Sequence, residues 1–213
     1  MFSIILLNIV QGAFIMSAND EAKESIIQAT IELIEASEGN TRNITARAIA
    51  DKSGVSLGLI NYHFGSKDNL IAICCSRIIN KTLMSMSPAN VDYTKDDGLT
   101  DKERLISYAK QTFEFVYANY STVKISILSD LQDYSPNCNS ALTQKGFLLA
   151  LRGDMPEKQK KLIAFSLASI MQTAFLSGDN AKQITGYDLK IKKQRTAFIT
   201  DTVTMLFEGV YEK

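Results

Sequence analysis

The chain has no tryptophan, only three prolines, three cysteines and a single histidine, and its 23 basic residues are matched by 23 acidic ones. Each shortage excludes something. Cys74, Cys75 and Cys138 are odd in number and lack metal-ligand spacing, which argues against a disulfide framework and against a zinc site. Cys74 and Cys75 are adjacent, so on a helix they point in different directions and make a poor ligand pair. They read as small buried hydrophobes, with a redox sensor as the lesser alternative. With His63 alone, no paired-histidine metal motif is available. A formal charge of zero excludes a protein that coats nucleic acid along its whole surface, but leaves room for a local basic patch. Nothing in the chain calls for a cofactor.

Charge is unevenly distributed. From Asn19 to Asn40, six acidic residues face Lys23 alone; from Thr41 to Leu70, Arg42, Arg47, Lys52 and Lys67 outweigh Asp51 and Asp68. An acidic segment is therefore followed by a basic one. The first fifteen residues, Met1 to Ile15, are mostly apolar, but no lysine or arginine precedes the run, and Asn8, Gln11 and Gly12 interrupt it. The run is short for a membrane span and lacks the basic start of a signal peptide. It reads as an upstream start or an extension of little consequence to the fold. A signal or interfacial anchor, and an ordered helix packed on the domain, are the alternatives. The expected location is cytoplasmic.

Apolar residues recur at helical spacing almost throughout, and no run alternates in the strand manner. Pro88, Pro136 and Pro156 fall where helices stop or start. The expectation is an all-α chain of about nine helices. The first runs from about Asp20 to Ser37, with an apolar stripe from Ile26 to Ile34. A short helix follows from Thr45 to Lys52, and another from Ser56 to about Tyr62. A fourth begins after Ser66. A polar connection, Ser85 to Thr100, leads to helices over Glu103–Asn119, Ser121–Tyr134, Ser140–Leu151, Glu157–Leu176 and Tyr187–Tyr211. The expected division is an extension (1–18), an N-terminal three-helix domain (19–66) and a C-terminal helical domain (67–213).

The segment Ile44 to Phe64 has helix-turn-helix spacing: two short helices joined by a tight turn at Gly54, with Thr45 and Ser56 as N-caps. Ala50 is small where the helices cross, and Val55, Leu59 and Ile60 can lock the second helix to the first. In such a motif the start of the second helix meets base edges and the first crosses the phosphate backbone. Thr45 and Arg47 open the first helix, where hydroxyl, guanidinium and free N–H groups can hold phosphates. Ser56, Leu57, Gly58 and Leu59 open the second, Gly58 allowing close approach; Asn61, Tyr62 and His63 lie further along. Leu57 and Leu59 also read as core, Arg47 as a solvated charge, and Tyr62 as either packing or phosphate contact. Gly54-Val55-Ser56-Leu57-Gly58 formally matches the G-x-S-x-G elbow of hydrolases. That elbow needs a preceding strand and a distant histidine, whereas a helix precedes it here and His63 is close by. The chain does not read as an enzyme.

Over roughly Asn19 to Ile79 the sequence resembles the tetracycline-repressor family, whose pattern runs T-x-x-x-I-A-x-x-A-G-V-S-x-G-x-x-Y-x-Y-F-x-S-K. Thr45, Ile49, Ala50, Gly54, Val55, Ser56, Gly58, His63, Phe64, Ser66 and Lys67 stand in the corresponding places. Leu57 departs from a frequent lysine and Asn61 from a frequent tyrosine, which puts operator sequence in doubt rather than binding mode; Leu57 can instead touch a thymine methyl. The resemblance implies a ligand-responsive transcriptional regulator, by family habit a repressor released from operator DNA by a small molecule, with Lys67 as a phosphate clamp. The alternative is a small-molecule-binding or interaction module that has lost DNA binding.

The C-terminal part supplies the expected partners. The helix Glu157–Leu176 is apolar nearly all round, so it needs cover on more than one side. With the last helix it would form a four-helix bundle with a second copy, giving a homodimer. Two recognition helices must reach major grooves about 34–36 Å apart, which suits a dimer. An effector pocket between helices would be mostly apolar. Phe113, Tyr117, Leu128, Phe147, Met171 and Phe175 are the expected lining, with core packing as the competing role.

Overall fold

A computed structural model of the chain describes residues 18–86 and 98–211. Within these it consists of ten α-helices and two short 3₁₀ turns, and no strand. The expected extension up to Met16, and most of the polar connection around Pro88, lie outside the described residues.

Helix α1 spans Ala18–Ala36, α2 Ala46–Ser53, α3 Leu57–Phe64 and α4 Lys67–Met86. Their ends follow from local chemistry. After α1 the chain turns through Glu38 and Gly39, both at positive φ. Asn40 then caps the 3₁₀ turn Thr41–Asn43 by accepting from the Arg42 N–H at 3.1 Å. Thr45 caps α2, its hydroxyl accepting from Ala48 N–H at 3.0 Å. Gly54, at φ 72°, closes α2 in the left-handed region open to glycine. Ser56 caps α3 and Ser66 precedes α4, each hydroxyl accepting the N–H three residues on.

The second part holds α5 (Asp101–Ala118), α6 (Tyr120–Gln132), α7 (Asn139–Ala150), α8 (Glu157–Leu176), α9 (Ala181–Thr185) and α10 (Lys192–Tyr211). Thr100 and Glu103 start α5 with a reciprocal capping box. The sequence placed one helix from Tyr187 onward. Instead the short α9 ends at Gly186 (φ 81°), and a turn held by Asp188 N–H to Gln194 Oε1 (2.6 Å) delays α10 to Lys192. Among the described residues no single helix is long and apolar enough to cross a membrane.

Two cores result. The N-terminal one gathers Ile26, Ile27 and Ile34 of α1, Ile49 and Ala50 of α2, Ile60 and Phe64 of α3, and Leu70, Ile71, Cys74 and Cys75 of α4. The larger one is built from α5, α7, α8 and α10 around Leu105, Phe113, Phe147, Leu167, Phe175 and Ile199. Helix α4 enters both, since Ile79 belongs to the second. Helix α6 also enters both: Ile125 is buried in the N-terminal core while Val123 and Ile127 lie in the larger one. The same helix is tied to the end of α1. The Ser121 hydroxyl donates to the Glu35 carbonyl (3.3 Å), and the Lys124 ammonium to the Glu38 carbonyl (3.4 Å).

Candidate nucleic-acid interface and effector cavity

Helix α3 is only eight residues long; Ile60 and Phe64 are its buried side chains, and Leu59 and His63 are half-buried. Ser56, Leu57, Gly58 and Asn61 are exposed. Leu57 is 42% exposed, which takes it out of the core, and Leu59 is half-buried. Tyr62 is 78% exposed, so of its two readings packing is lost. At the start of α2, Thr45 and Arg47 are exposed as well. An added Cβ at Gly58 would meet only Ser56 Oγ, at 3.9 Å. Nothing among the described residues requires glycine there.

The cations around this face are not equivalent. Lys52 is engaged by Glu32 of α1 at 2.9 Å, and Lys67 by its neighbour Asp68 at 3.0 Å. Arg42 and Arg47 have no ion pair among the described residues. His63 is half-buried, its ring edge-on to Tyr62 with centroids 5.1 Å apart, and its Nε2 is enclosed with no hydrogen-bond partner among the described residues. Gly54-Val55-Ser56-Leu57-Gly58 lies between two helices, and the Ser56 hydroxyl is occupied as a cap. The elbow of a hydrolase is not formed.

A cavity of about 440 Å³ opens among α4 to α8. Of the six residues expected to line it, Phe113, Met171 and Phe175 do. The other three are placed elsewhere, each for a packing reason. Leu128 is 44% exposed, because the turns of α6 give Val123, Ser126, Ile127 and Asp130 to the cavity and Ile125 to the N-terminal core. Phe147 is fully buried behind the wall, edge-on to Tyr108 at 5.7 Å. Tyr117 lines a neighbouring hollow with Tyr120 and Phe175. There it packs edge-on against both Phe113 and Phe175, under the Arg195 guanidinium 4.7 Å from its ring centre. Burial pushes the Tyr117 hydroxyl up to about 12. Arg195 also grips Glu114 with two hydrogen bonds of 2.8 and 2.7 Å.

Sequence reading missed the polar side of this cavity. Asp130, Ser140, Asn139, Ser126 and Gln172 all line it. Asp130 accepts from the Ser140 N–H and hydroxyl at 2.8 and 2.7 Å. Gln172 donates to Ser140 Oγ and Asn139 to Ser126 Oγ, both at 2.9 Å. A signal existed: Val123, Ser126, Ile127 and Asp130 recur at three- and four-residue steps, so an acid stands on a buried stripe. The cysteines resolve too. Cys74 and Cys75 are buried, and that burial pushes both thiols up to about 12, far from a reactive thiolate at neutral pH. Cys138 caps α7.

Comparison with known proteins agrees with this architecture. Residues 26–73 match the family model described as bacterial regulatory proteins, tetR family. No curated protein matches the chain. Among solved structures, a TetR transcriptional regulator from Rhodococcus sp. RHA1 superposes with a TM-score of 0.59 at 12% identity, covering 91% of this chain and 98% of that one. A TetR-like transcriptional regulator from the same organism gives 0.52 at 17%, covering 93% and 100%. The transcriptional regulator FadR from Bacillus subtilis, in complex with stearoyl-CoA, gives 0.53 at 17%, covering 89% and 100%. At these identities the likeness is one of fold.

Proposed function

We propose that this chain, which belongs through its helix-turn-helix domain to the tetR family of bacterial regulatory proteins, is a DNA-binding transcriptional regulator controlled by a small molecule. The observation that carries the reading is the outer surface of α2 and α3. Thr45, Arg47, Ser56, Leu57, Gly58, Asn61 and Tyr62 form an exposed face that no other part of the described chain covers. On this reading the start of α3 enters the major groove, with Leu57 against a thymine methyl and Asn61 offering an amide to a base edge. Thr45, Arg47, Tyr62 and Lys67 hold phosphates, Lys67 by exchanging Asp68 for the backbone.

Two features support control by an effector. The cavity is mostly apolar and of ligand size, and a distant relative in fold, FadR, is described with stearoyl-CoA bound. Helix α6 presents Val123 and Ile127 to the cavity on one side and Ile125 to the N-terminal core on another. A ligand that moves α6 therefore acts on the base of the DNA-binding domain, and its differential affinity for the two arrangements sets the change in DNA affinity. Release of a repressor on ligand binding is the form we expect. Homodimerisation through α8 and α10 is supported by Leu162, Phe165 and Met205, 59, 57 and 58% exposed on those helices.

Selection from a random duplex library by the full chain tests the reading. Enrichment of a two-fold symmetric site is the expected result. Failure to enrich any site, from a folded dimer, contradicts it and favours a binding module without DNA affinity.

A further inference from the structure

The cavity has a charge character that its size alone does not give. Asp130 is the one acidic residue on its described lining and Lys145 the one basic residue. Asp130 is only 9% exposed. Its Oδ2 is held by the N–H and hydroxyl of Ser140, in the first turn of α7, where the helix dipole favours an anion. That bond anchors α6 to α7 and uses one oxygen. Oδ1 has no hydrogen-bond partner among the described residues and is not among the fully enclosed polar atoms, and the residue that carries it lines the cavity. Lys145 does not neutralise it, because its ammonium donates to the Pro136 carbonyl at 2.8 Å and the residue is exposed. A buried carboxylate without a cation is costly unless something pairs with it. Around it the wall is aromatic and aliphatic: Tyr108, Phe113, Phe175, Met171 and Leu149.

We propose that the effector cavity is built for an apolar organic cation, a protonated amine carried on an aliphatic or aromatic body. Its N–H donates to Asp130 Oδ1 and its body lies on the aromatic rings, whose faces also favour positive charge. An anionic head in the same place meets the Asp130 charge at close range in a poorly solvated site. The inference rests on the reading of this cavity as the effector site and adds to it the sign of the ligand's charge.

Titration calorimetry on the full chain tests it with three ten-carbon probes below their micellar concentrations: decylammonium, decanol and decanoate. Decylammonium is expected to bind best, at least about tenfold tighter than decanoate. Asp130→Asn, which keeps an acceptor for Ser140, is expected to weaken decylammonium about tenfold or more and to leave decanol unchanged. Decanoate binding as tightly as decylammonium, no binding of any probe, or an unchanged decylammonium affinity in Asp130→Asn overturns the proposal. Should Asp130→Asn not fold, the wild-type ranking decides alone. Decylammonium that binds yet leaves DNA affinity unchanged refutes effector control while the charge assignment stands.

Discussion

Replacing Ile125 by alanine removes three carbons from a side chain that α6 lends to the core of the DNA-binding domain. Ile125 is 5% exposed and packs in the cluster that holds Ile26, Ile49, Ile60 and Leu70. At about 0.8 kcal/mol per buried methylene the transfer term alone is about 2.4 kcal/mol. The void left in the cluster adds to this, because the Ser121 and Lys124 bonds to the end of α1 fix α6 in place and limit its collapse into the space. Isoleucine-to-alanine losses in cores run about 2–5 kcal/mol, and the middle of that range, about 3.5, is the expected cost. Urea denaturation followed by circular dichroism, at one fixed protein concentration, reads it directly. Leu128→Ala is the control on the same helix: at 44% exposure it should cost no more than about 0.5 kcal/mol. The variant should also loosen the coupling between cavity and DNA, since Ile125 is the α6 residue in the N-terminal cluster. If Ile125→Ala destabilises no more than Leu128→Ala, α6 does not brace the DNA-binding domain and the route from cavity to recognition helix is wrong.

Gly58→Ala separates folding from recognition. With open space around the added methyl, stability should hold or rise by up to about 1 kcal/mol from helix propensity, while DNA affinity falls; unchanged DNA affinity would remove close backbone approach at Gly58. The Glu114–Arg195 pair sets an acid limit. Arg195 holds the Glu114 carboxyl below its ordinary value of 4.5, so its contribution is complete above that pH and is lost as pH falls through the depressed folded value. Thermal melts between about pH 5 and pH 3 should therefore drop more steeply for wild type than for Glu114→Gln, and parallel slopes would refute it. A thiol reagent at pH 8 should label Cys138 in the native state and reach Cys74 and Cys75 only on unfolding, given thiols at about 12 in a closed core; rapid labelling of all three would return the redox reading.

The DNA-binding half was legible because its punctuation is chemical and local. Thr45, Gly54, Ser56 and Ser66 act within three or four residues of themselves, and the α1 stripe from Ile26 to Ile34 announces its buried side. The C-terminal half was legible as helices but not as a cavity. Phe147 and Phe113 are the same residue type at similar helical positions, yet one is behind the wall and the other on it. That difference comes from where α5, α7 and α8 cross, which no local signal carries. Asp130 was overlooked for the opposite reason: it stands on a legible apolar stripe, but an acid on an amphipathic helix is ordinarily solvated, and the fold of α6 against α7 is what buries it. The intrusion of Ile125 into the first core, whose other members run from Ile26 to Cys75, is likewise a contact between segments far apart in sequence. α9 was lost in the stretch after Leu176 because five residues give too little periodicity to see.

The most direct test of the account is the salt dependence of DNA binding, measured by fluorescence anisotropy on a selected site, for wild type and for the Arg47→Ala, Lys67→Ala double variant. Both side chains are assigned to phosphates, and each neutralised phosphate contributes about −0.9 to the slope of log affinity against log salt. The account expects a steep wild-type slope, shallower by about 1.8 per recognition domain in the double variant, with the preference for the site retained. Equal slopes in a folded double variant would place the DNA elsewhere on the protein and contradict the assignment of α2 and α3 as the interface.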